Sequence, residues 1–358
     1  MASSINASTS GPGGVITTAD NSGILNLQSG GTTVATVNSS GLSTVGSLSV
    51  PNTFGFKNRL INGNFIISQY NGTSSVAPGS GQYVIDRWYA DSYGSGANGY
   101  TVQQLSSSPP AGFNNYLQIQ CNSTTYTNIN ITQTIESINS VDLLGQTVTV
   151  SFWYRIPVSF TGTPQVILTY QTTNNTRCGG GTGSSISSIS LSNTSTWTKA
   201  SFSATVPSNA LSLGVIISNG NNNVINGAIL QITGVQLELG SQATSFDVRS
   251  IGTELLLCQR YYYASANGVF VNDGQFTYLN GNNLTGAYKF GTTMRAQPTI
   301  TVYNGSTANQ VLVAGSATTS SVSGTNLISQ SGFGGIQGSF TNSPFPFSAF
   351  NITAFAEL

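Results

Sequence analysis

Thr147-Val148-Thr149-Val150-Ser151-Phe152-Trp153-Tyr154-Arg155-Ile156 is a run of β-branched and aromatic residues and reads as a strand. Neighbouring side chains in a strand point to opposite faces, so Phe152, Tyr154 and Ile156 share one face and Trp153 takes the other. One of these two sets must be core. Runs of the same kind lie on both sides, over residues 60–69, 83–90, 100–105, 116–121, 129–136, 165–170, 198–206, 213–218 and 228–239, separated by Gly, Ser, Asn and Pro. Short strands spaced by turn residues predict one antiparallel β-sandwich with a jelly-roll layout over residues 55–249.

The composition supports an all-β chain and excludes several function classes. With 358 residues more than one domain is expected. Charged residues make up 6%, with 10 Lys+Arg, 10 Asp+Glu and no His, where a soluble domain carries about 25%. Ser, Thr and Asn must therefore supply the solubility. A formally neutral chain with scattered basic residues has no field to attract DNA or RNA, so nucleic-acid binding is rejected. No leader of basic and then apolar residues opens the sequence, and no apolar stretch approaches the ~20 residues of a membrane span, so a soluble chain made in the cytosol is expected. Cys121, Cys178 and Cys258 are odd in number and widely spaced, with no CxxC and no His to complete a zinc site. Three reduced structural thiols are expected, with one disulfide as the alternative.

Residues 1–54 hold few large apolar side chains, in short alternating runs, and predict an arm of strands that orders against neighbouring copies or an attachment site; a flexible linker is the plainer reading. Pro51 marks the boundary. Ser250 can cap a helix that carries Thr253 and Glu254 in its first turn and Arg260 in its last, so residues 250–264 predict a linking helix. From 265 to 358 strands return, including 288–290, 299–303, 310–313 and 347–357, and predict a second, smaller β-sandwich.

Asn58-Arg59-Leu60-Ile61-Asn62-Gly63-Asn64-Phe65, followed by Ile85-Asp86-Arg87-Trp88, resembles the opening of carbohydrate-binding-module-like jelly rolls in bacteriophage tail and fibre proteins. Gly234-Val235-Gln236-Leu237-Glu238-Leu239-Gly240-Ser241, then Ala243-Thr244-Ser245-Phe246 and residues 254–262, resembles the closing strand and exit helix of the same proteins. Thr293-Met294-Arg295-Ala296-Gln297-Pro298-Thr299 is similar to the start of a strand in their distal domains. The resemblance spans residues 58–300. It implies a virion component and suggests a tail fibre subunit that binds a host cell-surface glycan or protein. By analogy with such fibres it also implies a homotrimer, held to other virion proteins through residues 1–54.

The candidate contacts each have a plainer reading. Trp88 and Trp153 suit the C–H face of a pyranose, and either can instead be packed. Phe333, Phe340 and Phe345 are candidates for a distal receptor surface, or for core and a seam between subunits. Asp86 with Asn64 could ligate structural calcium; the competing reading makes Asp86 and Arg87 a structural ion pair. Tyr261, Tyr262 and Tyr263 are expected to lock two domains together. The Gly179–Gly183 run lacks the Lys of a phosphate loop. Single, scattered acids argue against a glycosidase pair, and the lack of His removes Ser-His-Asp and Cys-His nucleophiles. The expectation is a phage fibre subunit that adheres to the host without catalysis or cofactor, exposed on the virion. The alternatives are a purely architectural head-fibre, neck or decoration protein and, further off, a polysaccharide depolymerase.

Overall fold

A computed structural model describes residues 3–7, 15–18, 22–39, 41–44, 56–91, 93–94, 99–122, 126–179, 181–220, 226–265, 276–280, 283–303, 307–312, 319–340 and 351–357. Among these residues the chain is all-β apart from one α-helix and two short 3-10 turns. Strands β1 (Ser3–Ala7), β2 (Val15–Thr18), β3 (Leu25–Ser29), β4 (Thr32–Asn38) and β5 (Gly41–Thr44) form a sheet in the order β2-β1-β3-β4-β5, in which β1 and β3 run parallel. Of the side chains described in this arm Ala35 is buried, while Leu27, Val34, Val37 and Leu42 are exposed. The arm has hydrogen-bonded ladders, and Ala35 is the one buried apolar side chain among those described in it.

The sandwich is built from β6 (Tyr83–Ile85), β7 (Trp88–Ala90), β8 (Tyr93–Gly94), β9 (Tyr100–Leu105), β10 (Tyr116–Cys121), β11 (Tyr126–Asn128), β12 (Asn130–Ile135), β13 (Thr147–Val158), β14 (Gln165–Gln171), β15 (Ser184–Ser190), β16 (Thr198–Thr205), β17 (Ser212–Ser218) and β18 (Ile229–Leu239). One sheet runs β16-β13-β18-β10-β9 and the other β15-β14-β17-β12-β7-β6, while β8 pairs with β11. Phe152, Tyr154 and Ile156 point into the core between the sheets, as alternation requires.

Three local differences from the sequence reading have physical causes. Residues 60–69 are turns, with Asn62 and Phe65 in the left-handed region at φ 57° and 54°. Gly63 lies so close to β18 that a Cβ there would come within 2.0 Å of the Val235 carbonyl oxygen. The run 83–90 is a hairpin whose turn places Arg87 at φ 71°. Strand β15 was hidden because Ile186 and Ile189 are three apart; a register shift opposite Leu168 and Thr169 lets both pack on the core.

Helix α1 (Ile251–Gln259) begins as predicted, with the Thr253 amide donating to Ser250 Oγ at 3.4 Å. Strands β19 (Tyr262–Ala264), β20 (Thr277–Asn280), β21 (Asn283–Lys289), β22 (Thr299–Tyr303), β23 (Gln310–Leu312), β24 (Thr319–Asn326), β25 (Gly332–Gly338) and β26 (Asn351–Phe355) follow. They form a three-stranded sheet β19-β26-β22 and a five-stranded sheet β20-β21-β25-β24-β23 around a separate core that includes Phe276, Tyr288 and Met294. The last residues of the predicted linker, from Tyr262, are already a strand of this second domain.

The segments that carry the family resemblance hold the molecule together. Asn58 Oδ1 accepts from the Leu60 and Leu237 amides, both at 3.0 Å, and its Nδ2 donates to the Val235 carbonyl at 3.1 Å. The Asn62 side chain closes a loop on Ile67 and donates to the Asp86 carbonyl, while its own amide donates to Glu254. Arg249 pairs with Asp247 and Glu254 at the root of α1. Arg87 reaches the second domain: its guanidinium is buried, pairs with Glu357, donates to the Thr134 carbonyl at 2.7 Å and lies 3.5 Å over the Tyr261 ring. Tyr262 stacks on Tyr70 at 3.7 Å, so these two tyrosines lock the domains, whereas the Tyr263 hydroxyl bonds to Tyr288 within its own domain.

Candidate binding clefts

The structure removes most of the candidate contacts from the surface. Trp88 is fully buried, tilted against Phe65 at 5.3 Å, and its Nε1 donates to the Asn62 carbonyl. Its indole is therefore core of the sandwich, with no face for a sugar. Phe333 and Phe340 are buried in the second core, where Phe333 stacks on Phe276 and Tyr288, so neither offers a receptor contact. Phe345 lies outside the described residues.

Asp86 is not the partner of Arg87, and its surroundings do not make a calcium site. Both carboxylate oxygens are taken by Gln69, Oδ2 by the backbone amide at 2.6 Å and Oδ1 by the side-chain amide. Asn64 makes no side-chain hydrogen bond to it, and no group of three His, Cys, Asp or Glu that could hold an ion occurs among the described residues. Burial raises the Asp86 pKa to about 6 against the lowering hydrogen bonds from Gln69. The stability linked to this group is thus full below the ordinary carboxylate range and is lost as pH rises through about 6. Relative to the wild type, Asp86→Asn is expected to gain up to ~3 kcal/mol of unfolding free energy between pH ~4 and pH ~7. Urea titrations across that range check this, and a pH-independent difference contradicts it.

Cys121, Cys178 and Cys258 are free and buried, and burial pushes the thiols of the first two up to about 12. Nucleophilic use of these sulfurs has no support here.

The outer face of the sheet β15-β14-β17-β12-β7-β6 is half covered. At one end residues 177–179 lie over it: the Cys178 amide donates to Thr134 Oγ1 at 3.0 Å, the Gly179 amide donates to the Tyr89 hydroxyl at 3.2 Å, and Arg177 stacks over Tyr89 at 4.6 Å. The other end stays open as a cleft of about 390 Å³. Strand register aligns its floor. Asn130 on β12 sits opposite Ser218 on β17, which sits opposite Gln165 on β14. The neighbouring row is Thr132, Ile216 and Ile167, of which the two isoleucines are half-buried and line the cleft. Asn128, Thr163 and Gly220 complete the rim. The Asn130, Gln165 and Thr163 side chains make no hydrogen bond with any described residue.

Trp153 behaves as the alternation requires. It is half-buried on the outer face of the other sheet, where it lines a second cleft of about 340 Å³ with Phe113 and Phe246. Sequence reasoning missed these two phenylalanines, which stand in loops and meet Trp153 only through tertiary folding. In the second domain Asn283, Ser321, Ser323, Gln337 and Ser339 surround an open hollow of about 550 Å³. Among the described residues no carboxylate lines any of these three openings.

No protein-family model matches the chain, and no curated protein matches it. Among solved structures it is similar to the enzymatically active domain of tailspike protein 4 from bacteriophage CBA120, at 18% identity and a TM-score of 0.35, over 51% of this chain and 21% of that one. It is also similar to TmCBM61 in complex with β-1,4-galactotriose, at 12% identity and a TM-score of 0.30, over 52% of this chain and 99% of that one. The C-terminal family 22 carbohydrate binding module of Clostridium thermocellum Xyn10B is similar at 11% identity and a TM-score of 0.28, over 50% of this chain and 99% of that one.

Proposed function

We propose that the chain is a non-catalytic adhesive subunit of a bacteriophage particle, a fibre protein that holds a neutral glycan in the cleft formed by β12, β17 and β14. The observation that carries this reading is the set of amide and hydroxyl side chains, Asn130, Gln165 and Thr163, that make no hydrogen bond with a described residue around an apolar floor of Ile167 and Ile216. Each amide offers one acceptor and two donors, which suits the vicinal hydroxyls of a sugar, while the isoleucines receive its C–H face. That no described carboxylate lines the openings supports binding over glycoside hydrolysis, which needs two convergent acids.

The particle assignment rests on the fibre-like segments at 58–65, 85–88 and 234–246 and on the charge-poor surface. The exposed Leu27, Val34, Val37 and Leu42 of the arm favour burial against other chains, copies of this one or virion proteins. Several copies on one particle then convert weak single sites into firm adhesion.

The test is a glycan array probed with the full chain and with an Asn130→Ala, Gln165→Ala double variant. Loss of two neutral hydrogen bonds is expected to weaken the best neutral ligand about 10- to 100-fold while the fold is retained. Unchanged binding by a folded double variant removes the cleft from the function, and a full chain that binds no glycan shifts the assignment to the architectural role.

A further inference from the structure

We infer that the Trp153 cleft is a second, separate binding site, selective for a carboxylated sugar such as a uronic acid. It lies on the opposite sheet from the proposed neutral-glycan cleft and does not depend on that assignment.

The site is built by a defect in the β13–β18 pair. Ser151 sits opposite Gln236 and Trp153 opposite Thr233, so one residue of β18 is extra. Gly234 occupies the irregularity at φ 63°, and a Cβ there would come within 2.5 Å of the Phe113 ring. The missing side chain lets Phe113 lie on the strand, edge-on to Phe246 at 5.2 Å. Phe113, Trp153 and Phe246 are all half-buried, so each keeps part of its ring at the opening. Three partly exposed aromatic rings around one cleft match the apolar face of a pyranose.

Charge supplies the selectivity. Lys199 on β16 pairs in register with Trp153 and lines the cleft; its Nζ donates to the Thr244 carbonyl at 3.1 Å. Lys57 reaches the same residue from the opening segment, donating to Thr244 Oγ1 at 2.6 Å. Two of the three lysines in the sequence thus converge on one threonine at the cleft edge. Neither forms an ion pair with a described carboxylate. The nearby Glu238 is buried and already accepts from the Thr244 amide, the Thr244 hydroxyl and Gln236 Nε2. In a chain with 6% charged residues, two ammonium groups free of ion pairs beside a ring-stacking cleft complement a sugar that carries its own carboxylate.

The experiment titrates the full chain with oligogalacturonides, a glucuronate-containing oligosaccharide and sialyllactose, and with the same compounds after reduction of their carboxyl groups. At least one acid is expected to bind, at least tenfold more tightly than its reduced form and less tightly as salt rises. Lys199→Gln, an exposed change that preserves the strand, is expected to remove about tenfold for the acid and nothing for the reduced form. Trp153→Ala is expected to abolish binding, with Trp153→Phe restoring part of it as a control for folding. Equal affinity for acid and reduced forms, insensitivity to Lys199→Gln, or no binding of any of the three acids by the folded chain overturns the inference. The Asn130, Gln165 double variant should leave acid binding unchanged, which separates this site from the other cleft.

Discussion

Arg87→Ala is expected to lower the stability of the full chain by ~3–5 kcal/mol, the cost of leaving one member of a buried ion pair without its partner. The guanidinium and the Glu357 carboxylate are both essentially inaccessible to solvent, at 2% and 0% exposure. Alanine also removes the bond to the Thr134 carbonyl and the contact with the Tyr261 ring. Burial already raises the Glu357 carboxyl above its ordinary value with Arg87 facing it, so in the variant the carboxyl rises further. A raised carboxyl favours folding at low pH and opposes it as pH rises, so the deficit of Arg87→Ala should be larger at pH ~8 than at pH ~5. Adding Glu357→Gln should recover a large part of the loss, since no charge is then stranded. Denaturant titrations of the two singles and the double decide it; a loss below ~1 kcal/mol for Arg87→Ala would show that the pair does not join the domains.

Asn58→Ala is expected to have a comparable effect by a different route. The change deletes one amide, but that amide serves the Leu60 and Leu237 N–H groups and the Val235 carbonyl, all buried. A buried backbone group left unsatisfied costs ~1–3 kcal/mol, so a total of ~3–9 kcal/mol follows for the three, or a fall in Tm of ~6 °C or more for a domain of this size. Hydrogen exchange adds a local signature: the Leu60 and Leu237 amides should exchange faster than those of β13 and β17. A small, uniform change across the sandwich would mean that other groups take over the role of Asn58.

What was legible in the sequence follows from period and capping. The alternation in 147–156 put Phe152, Tyr154 and Ile156 on one face and Trp153 on the other, with the core face left for the fold to decide, and Ser250 with Glu254 marked the helix. For Trp88 the sequence left sugar stacking and packing both open, and only the fold decides for packing by bringing the Asn62 carbonyl to its indole nitrogen. Arg87 has its partner 270 residues away, beyond any local pattern. Asn130 and Gln165 carried no signal in a chain rich in amides; strand register alone sets them in one row with Ser218. The same holds for Lys57 and Lys199, which meet through Thr244.

The second domain is held to the sandwich by more than its linker. It enters through α1 and β19, and β26, hydrogen-bonded to β19 with Tyr262 opposite Phe355, returns to the same place and plants Glu357 beside Arg87. A single linker would act as a swivel, whereas a strand pair anchored at both of its ends resists rotation about the junction. Torque on the second domain is therefore passed to the sandwich with little angular play, and the openings of the two domains keep a fixed angle to each other.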